Sequence, residues 1–418
     1  MLTIWLLAAA IIAGFYMAWN TGANDVANAM GTSVGSGAIT LRRAIILAGI
    51  CEFLGAFLVG SNVANTIKGG IVPVSAFSDA PIALGLGMLS ALLAAAIWLN
   101  IATFFGHPVS TTHAIVGAVV GFAVVSPRVG VQAVRWMAMV RIAASWIVSP
   151  LVGGILAYVV YRCIVRFILK SRHPVYMAKS MVPVGLGLVL FIISLSVLYK
   201  GLPRLKLDLS FPWAGLIALL VASVAIVCGR LAIRRALRAR RVRLAERYHV
   251  VERWFGRVQI ITACYMAFAH GANDVANAIG PLAGCIQVFY EQTSITLEAP
   301  VPPWLLALGG AGIVIGLATY GYKVIEAVGK RITEITPTRG FSAELATATT
   351  VLVCSKMGLP ISTTFVLVGA VMGVGVARGF ASIDLKVIRR IFTSWVITIP
   401  VSAVIAAVIF RILRAVIL

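Results

Sequence analysis

Two identical octapeptides, Gly22-Ala-Asn-Asp-Val-Ala-Asn-Ala29 and Gly271-Ala-Asn-Asp-Val-Ala-Asn-Ala278, decide how the rest of this chain is interpreted. Both copies lie inside long apolar stretches, where an ionised carboxylate costs roughly 2.5–3.5 kcal/mol at the centre of a membrane helix. Packing alone gives no reason to accept that cost twice. The repetition therefore predicts a duplicated membrane architecture in which the polar groups of both copies gather near the middle of the bilayer.

The composition excludes a soluble fold, because 61% of the 418 residues are hydrophobic and only 11% are charged. Apolar runs long enough to cross a lipid bilayer recur along the chain. We count about twelve hydrophobic segments, near residues 2–19, 43–63, 82–104, 110–127, 138–161, 181–199, 213–229, 258–278, 304–322, 343–357, 361–377 and 390–413. The predicted fold is an all-α polytopic membrane protein.

The formal net charge of +22 comes from basic residues in the loops between these segments. The stretch from Arg230 to Arg257 carries ten arginines and only two acids, Glu246 and Glu252. The positive-inside rule predicts that this central loop is cytoplasmic and that both termini lie outside the cell membrane. Nucleic acid is not an expected partner, since the basic stretch has neither an aromatic stacking platform nor a recognised binding fold.

The similarity between the two halves extends beyond the octapeptide. The segment from Gly106 to Gly121, with the sequence GHPVSTTHAIVGAVVG, aligns with GLPISTTFVLVGAVMG from Gly358 to Gly373. We therefore predict repeat units at 1–165 and 258–418, separated by a unique middle at 166–257 with two hydrophobic segments and the basic loop. Seven segments precede that loop, so the second unit enters the membrane from the opposite side. Inverted repeats with broken or re-entrant helices are typical of alternating-access transporters.

Acids and amides within the apolar sequence are the candidate cation ligands. Carboxylate, amide and backbone carbonyl oxygens suit a hard monovalent cation such as Na⁺, although a proton on the acids is an open alternative. We expect the helix to unwind at Gly22 and Gly271 and to free backbone carbonyl groups there. The candidate cation ligands are Asn24, Asp25, Asn28, Glu52, Asn273, Asp274, Asn277 and Glu344.

The two Pro-x-Ser-Thr-Thr elements are candidates for a different role, the binding of an anion. A helix that begins just after the proline directs unpaired N–H groups and three hydroxyl groups to one place, which suits an oxyanion. Two such helix starts from opposite halves can hold one tetrahedral anion, whereas the alternative role for these residues is hydrogen bonding between helices. The candidate anion ligands are Ser110, Thr111, Thr112, Ser362, Thr363 and Thr364.

Cations explain how an anion enters a site that contains two aspartates, since they neutralise the repulsion. These residues therefore predict a secondary symporter of a tetrahedral oxyanion, and by themselves they leave open whether it is phosphate, sulfate or another oxyanion. No organic cofactor is expected. An enzyme is not expected either, because we find no nucleophile–base pair or metalloprotease motif. A channel would show a ring-like pore lining without paired broken helices.

With its doubled octapeptide and paired Ser-Thr-Thr elements, the chain resembles the PiT family of inorganic phosphate transporters. The resemblance covers both repeat units. It implies import of inorganic phosphate by symport with Na⁺ or H⁺, external termini, a cytoplasmic central loop and a homodimer. It also implies that Asp25 and Asp274 are the family's signature aspartates, that Glu52 and Glu344 are its intramembrane glutamates, and that the Ser-Thr-Thr runs are its hairpin elements.

Overall fold

The structure is a computed structural model that describes residues 2–104, 109–127, 129–199, 209–238, 246–290, 301–321, 335–379 and 385–418. Within these residues the chain forms thirteen α-helices and no β-strand. This confirms the all-α prediction and follows from the need of a chain in lipid to satisfy its backbone polar groups internally. The helices are α1 (Leu2–Gly35), α2 (Leu41–Val59), α3 (Ser61–Asn65), α4 (Pro81–Phe104), α5 (Thr111–Val124), α6 (Trp136–Ile164), α7 (Pro174–Leu198), α8 (Phe211–Arg238), α9 (Arg247–Phe289), α10 (Pro303–Gly316), α11 (Pro337–Lys356), α12 (Thr363–Arg378) and α13 (Leu385–Ile417).

Each of the twelve hydrophobic segments coincides with one or two of these helices. Seven of the described spans are long and apolar enough to cross a membrane, and an eighth results if α2 and the stretch Ser61–Gly70, which meet at 56°, form one bent span. Helices α5 and α12 have only 14 and 16 residues. At 1.5 Å per residue they are too short for a hydrocarbon core of roughly 30 Å. They correspond to the re-entrant elements that the sequence predicts.

The two halves are interleaved, because helices of one half pack on helices of the other. Helix α1 packs on α10 just as α9 packs on α2, and α5 packs on α13 just as α12 packs on α6. The inverted arrangement is visible between α1 and α9, which run antiparallel: Gly14 lies against Leu282, and Gly256 lies near Ala38. The boundaries of the repeat units, 1–165 and 258–418 around a middle at 166–257, stay a prediction.

The expectation that the chain unwinds at Gly22 and Gly271 is wrong. Helix α1 is continuous from Leu2 to Gly35, and α9 is continuous from Arg247 to Phe289. The glycines instead permit close helix contact: a Cβ at Gly22 would lie 2.0 Å from the carbonyl oxygen of Ile313, and one at Gly271 would lie 2.1 Å from that of Glu52. Backbone contact between α1 and α10, and between α9 and α2, is what only glycine allows here.

Candidate functional site

Both Ser-Thr-Thr elements begin a helix. Ser110 is the N-cap of α5, and its hydroxyl accepts a hydrogen bond from the backbone N–H of His113 at 3.2 Å. Ser362 is the N-cap of α12 and accepts from the N–H of Phe365 at 3.4 Å. Each serine therefore uses its oxygen as an acceptor and keeps its own O–H proton for a ligand. Of the two neighbouring prolines, Pro108 lies outside the described residues.

Each helix start contacts the octapeptide of the opposite half. Asn28 donates from its side-chain nitrogen to the Thr364 hydroxyl at 2.8 Å. Asn277 donates to the hydroxyls of Thr111 at 3.1 Å and Thr112 at 3.3 Å. These crossed hydrogen bonds join the two Ser-Thr-Thr helix starts and the two Asn/Asp clusters into one site between the halves.

The first asparagine of each octapeptide binds the hairpin of its own half. Asn24 donates to Asp25 Oδ1 at 3.1 Å and to the Val109 carbonyl at 3.3 Å, and its oxygen accepts from Thr103. The repeat-related Asn273 has the same pattern when its amide is oriented to accept from Ser355, since its nitrogen then lies 3.0 Å from both Asp274 Oδ1 and the Ile361 carbonyl. We adopt that orientation because it satisfies every partner.

Asp25 is a buried carboxylate with one paired and one unpaired oxygen. Its Oδ1 accepts from Asn24, from Asn28 at 3.1 Å and from Thr364 at 3.4 Å. Its Oδ2 and the buried Oδ1 of Asn277 make no regular hydrogen bond with the described residues, although the Thr111 hydroxyl lies close to the Asp25 carboxylate. Buried oxygens are rarely left without partners, so these two atoms point to a ligand that supplies positive charge.

Asp274 has different neighbours. Its Oδ2 accepts from Thr363 at 3.0 Å and lies 2.9 Å from His270 Nε2. The other ring nitrogen of His270, Nδ1, lies 3.1 Å from Glu52 Oε1, and all three side chains are fully buried or nearly so. Neither imidazole N–H is aligned for a regular hydrogen bond, so these are ion-pair contacts at close range. Among the described residues, Glu52 contacts this site through His270.

The carboxylates of the two halves meet in one place. One ligand atom each from Asp25, His270 and Asp274 lies within 4.8 Å of the others, and all three residues are buried. Two aspartates at that separation in a buried site repel each other unless a positive charge lies near them. The arrangement suits a small cation held by carboxylate and amide oxygens. It lies next to the starts of α5 and α12, whose N–H and hydroxyl groups suit an anion.

Glu344 lies in a separate cluster, about 10 Å farther along α1 than Asp25, since the contact residue Thr32 is seven positions beyond it. Its Oε1 accepts from Thr32 at 2.5 Å, from Ser33 at 2.6 Å and from Gln259 at 3.1 Å. Its Oε2 accepts from Thr262 at 2.6 Å. These four side chains come from α1 and α9, and they surround the fully buried carboxylate that α11 carries.

Sequence reasoning missed His270 and the partners of Glu344. His270 stands directly before the second octapeptide, and its spacing of four residues from Asp274 was a readable signal of a shared helix face. Thr32, Ser33, Gln259 and Thr262 carried no such signal, because short polar side chains in apolar helices are common and bond their own backbone.

The match to known families covers almost the whole chain. The model of the phosphate transporter family matches residues 21–406. A protein of Pyrococcus furiosus named as a phosphate permease is 46% identical over 411 residues, covering 97% of this chain and 96% of that protein. The inorganic phosphate transporter 2-1 of Arabidopsis thaliana chloroplasts is 43% identical, covering 96% of this chain and 71% of that protein.

A solved structure described as "The sodium-dependent phosphate transporter" has the same fold. It superposes with a TM-score of 0.91 and 40% sequence identity, covering 99% of this chain and 100% of that chain. Its helices therefore follow the same path as those that bring Asp25 and Asp274 together here. Together with the family match, this similarity places the protein among transporters rather than enzymes. The chain belongs to the phosphate transporter family.

Proposed function

We propose that this protein imports inorganic phosphate by symport with Na⁺. The observation that carries the proposal is the set of crossed hydrogen bonds from Asn28 to Thr364 and from Asn277 to Thr111 and Thr112. They make one site from two helix starts that suit an oxyanion and two carboxylates that suit a cation. The family match and the sodium-dependent structural relative support both ligands.

The anion is held by the starts of α5 and α12. Their first-turn N–H groups and the positive ends of their helix dipoles face the same region from opposite halves. The hydroxyl protons of Ser110 and Ser362 add neutral donors, since both oxygens already serve as caps. Donors of this kind fit a phosphate dianion, and they fit sulfate as well.

The cations are held by the carboxylates and amide oxygens. Asp25 Oδ2 and Asn277 Oδ1 are buried oxygens without a regular hydrogen bond to the described residues, so they are the atoms we assign first to Na⁺. Without a bound cation, the two aspartates would repel the phosphate anion. Cation and anion therefore bind well only together, and this thermodynamic linkage makes the transport a symport.

Glu344 supplies a second cation location. Its carboxylate is surrounded by hydroxyl and amide groups of Thr32, Ser33, Thr262 and Gln259, whose oxygens can rotate toward a bound Na⁺. The cluster lies away from the helix starts of α5 and α12, so a cation there acts on the equilibrium between transport states rather than on the anion directly. Movement of one repeat unit against the other would then expose the central site to each side in turn.

Radiolabelled phosphate uptake into proteoliposomes of the purified protein tests the proposal. We expect uptake under an inward Na⁺ gradient and none under an inward H⁺ gradient alone. Uptake under H⁺ alone would keep the anion but move the coupling to protonation of the buried acids. Uptake of labelled sulfate in place of phosphate, under either gradient, would overturn the substrate assignment.

The division of roles has its own test in the same assay. Replacement of Ser110, Thr111 and Thr112 by alanine should raise the phosphate concentration for half-maximal uptake more than the corresponding sodium concentration. Replacement of Asn28 or Asn277 by alanine should do the reverse. Equal effects of both sets on both concentrations would defeat the assignment of separate anion and cation ligands.

A further inference from the structure

A crevice of about 860 Å³ opens where the last helix, α13, ends. Its walls come from three parts of the chain: residues 76–83, residues 125–127 with Val129, and residues 410–418. The first two segments belong to the first half of the chain and the third belongs to the second half. Both halves therefore build this crevice, as both build the central site.

Two arginines of α13 line the crevice one helical turn apart. Among the described residues, the guanidinium groups of Arg411 and Arg414 have no hydrogen-bond or ion-pair partner. Asp79 and Leu418 also line the crevice. A guanidinium group presents five N–H donors in a planar fork that matches a phosphate group, so the pair offers a site for one.

The surroundings of the crevice are apolar on the side that faces the bilayer. Ile82 is 45% exposed, and on α13 Ile412 is 57% and Val416 is 80% exposed. Beneath the arginines the wall contains Phe410, whose ring packs 5.8 Å from that of Phe122. A ligand here therefore meets positive charge at one end and an apolar surface at the other.

We propose that this crevice binds the headgroup of an anionic phospholipid, with its phosphate on Arg411 and Arg414 and its acyl chains beside Ile82 and Ile412. A free phosphate ion would use the arginines but would leave the adjoining apolar surface uncovered. An amphipathic anion uses both, and the crevice opens where a lipid-exposed surface meets the end of the helices.

The bound lipid would stabilise the position of α5, the helix whose start lies in the proposed anion site. That helix begins at Ser110 in the central site and ends at Val124, beside the crevice residues Ser126 and Pro127. Along its length α5 packs tightly on α13, where a Cβ at Gly117 would lie 2.6 Å from the Ser402 hydroxyl. Lipid at the crevice therefore stabilises the contact that positions α5, a consequence that rests on the proposed function.

Native mass spectrometry of the purified protein, titrated with phosphatidylglycerol or phosphatidylcholine, tests the lipid site without any transport assay. We expect phosphatidylglycerol to bind more tightly, and the R411Q/R414Q variant to bind it about tenfold more weakly, because two charge-assisted contacts are lost. R411K/R414K should lose less, since it keeps the charges but not the planar forks. The matched control is R162Q, because Arg162 is the repeat mate of Arg411 and lies on α6, outside the crevice.

Three results would overturn the proposal. One is unchanged phosphatidylglycerol binding in R411Q/R414Q when circular dichroism shows that the variant is folded. Another is binding of inorganic phosphate by the wild type that R411Q/R414Q loses while it keeps phosphatidylglycerol. In that case the arginines bind the free ion and the lipid binds elsewhere. The third is a loss of phosphatidylglycerol binding in R162Q equal to that in R411Q/R414Q.

Discussion

The two aspartates Asp25 and Asp274 occupy equivalent places in the two repeats but have different neighbours. Asp25 accepts hydrogen bonds from neutral amides and a hydroxyl, whereas Asp274 lies against His270 and, through it, Glu52. The repeat mate of His270 is Thr21, which bonds only its own backbone at Met17. The octapeptides and the Ser-Thr-Thr helix starts, here called the ligand frame, are therefore alike in both halves, whereas the closest contacts of His270 are with Asp274 and Glu52.

Glu344 shows the same one-sided addition. Its repeat mate is Leu92, and the mates of Gln259, Thr262 and Ser33 are Ala10, Ala13 and Leu282, all buried hydrophobic residues. An apolar cluster in one half thus corresponds to a polar cluster in the other. The neighbours of Asp274 and the Glu344 cluster therefore make the two halves of the site different. Five predictions test how similar the two halves remain.

The largest effect is expected at the glycines that begin the two octapeptides, where helix packing in the two halves is most alike. Gly22→Ala and Gly271→Ala place a Cβ 2.0–2.1 Å from a backbone oxygen of the facing helix, so α1 must part from α10, or α9 from α2. We expect each variant to lose about 3 kcal/mol or more of stability, to a similar extent. Yield and unfolding temperature in detergent measure the loss. Gly215→Ala is the control, because nothing lies within 4 Å there and a helical alanine should be neutral or stabilising. A large loss in only one of the pair would show that the frame is not symmetric.

The next effect separates the two aspartates. Asp25→Asn and Asp274→Asn should each reduce cation-driven phosphate uptake on the order of 100-fold, because each removes a charged ligand. Only Asp274→Asn should also destabilise the protein, by about 3 kcal/mol, since it breaks the buried contact with His270. Asp25 has an unpaired oxygen, so its replacement costs little. Unfolding temperatures measured without sodium decide the point, and a greater loss for Asp25→Asn would contradict the comparison.

His270 and Glu52 can be converted to their repeat mates, Thr21 and Ile313. The single variant His270→Thr leaves Glu52 buried beside another carboxylate without the imidazole between them, so we expect it to cost about 2–3 kcal/mol. The double variant with Glu52→Ile should recover about 1–2 kcal/mol of that loss. A thermodynamic cycle of wild type, both single variants and the double variant measures the coupling. Additive losses would show that the two residues act independently.

Glu344→Gln tests the second polar cluster. It removes the charge at nearly constant size, so we expect the sodium concentration for half-maximal uptake to rise about tenfold, as for the loss of one charge-assisted contact. The corresponding phosphate concentration should change by less than about twofold, because the cluster lies away from the starts of α5 and α12. Leu92→Met at the repeat mate is the control. A rise in the phosphate value instead would place Glu344 in the anion site.

The repeated motifs that build this site could be predicted from the sequence, but the differences between its two halves could not. The doubled octapeptide and the Ser-Thr-Thr helix starts repeat at fixed spacing, so their meeting between the halves could be predicted. The contact between Glu52 and His270 joins residues far apart in the chain, and Glu52 has no acidic mate in the second half. The continuity of α1 at Gly22 was also missed, since a glycine that loosens a helix and one that admits a neighbouring backbone look alike in sequence.

The smallest effect concerns the helix caps. Ser110→Ala and Ser362→Ala each remove one N-cap oxygen and one hydroxyl donor, which should cost about 1 kcal/mol and raise the phosphate concentration for half-maximal uptake about fivefold. Serine-to-threonine variants keep both the cap and the donor and serve as controls. An unchanged phosphate value in both alanine variants would mean that the caps order α5 and α12 without touching the anion.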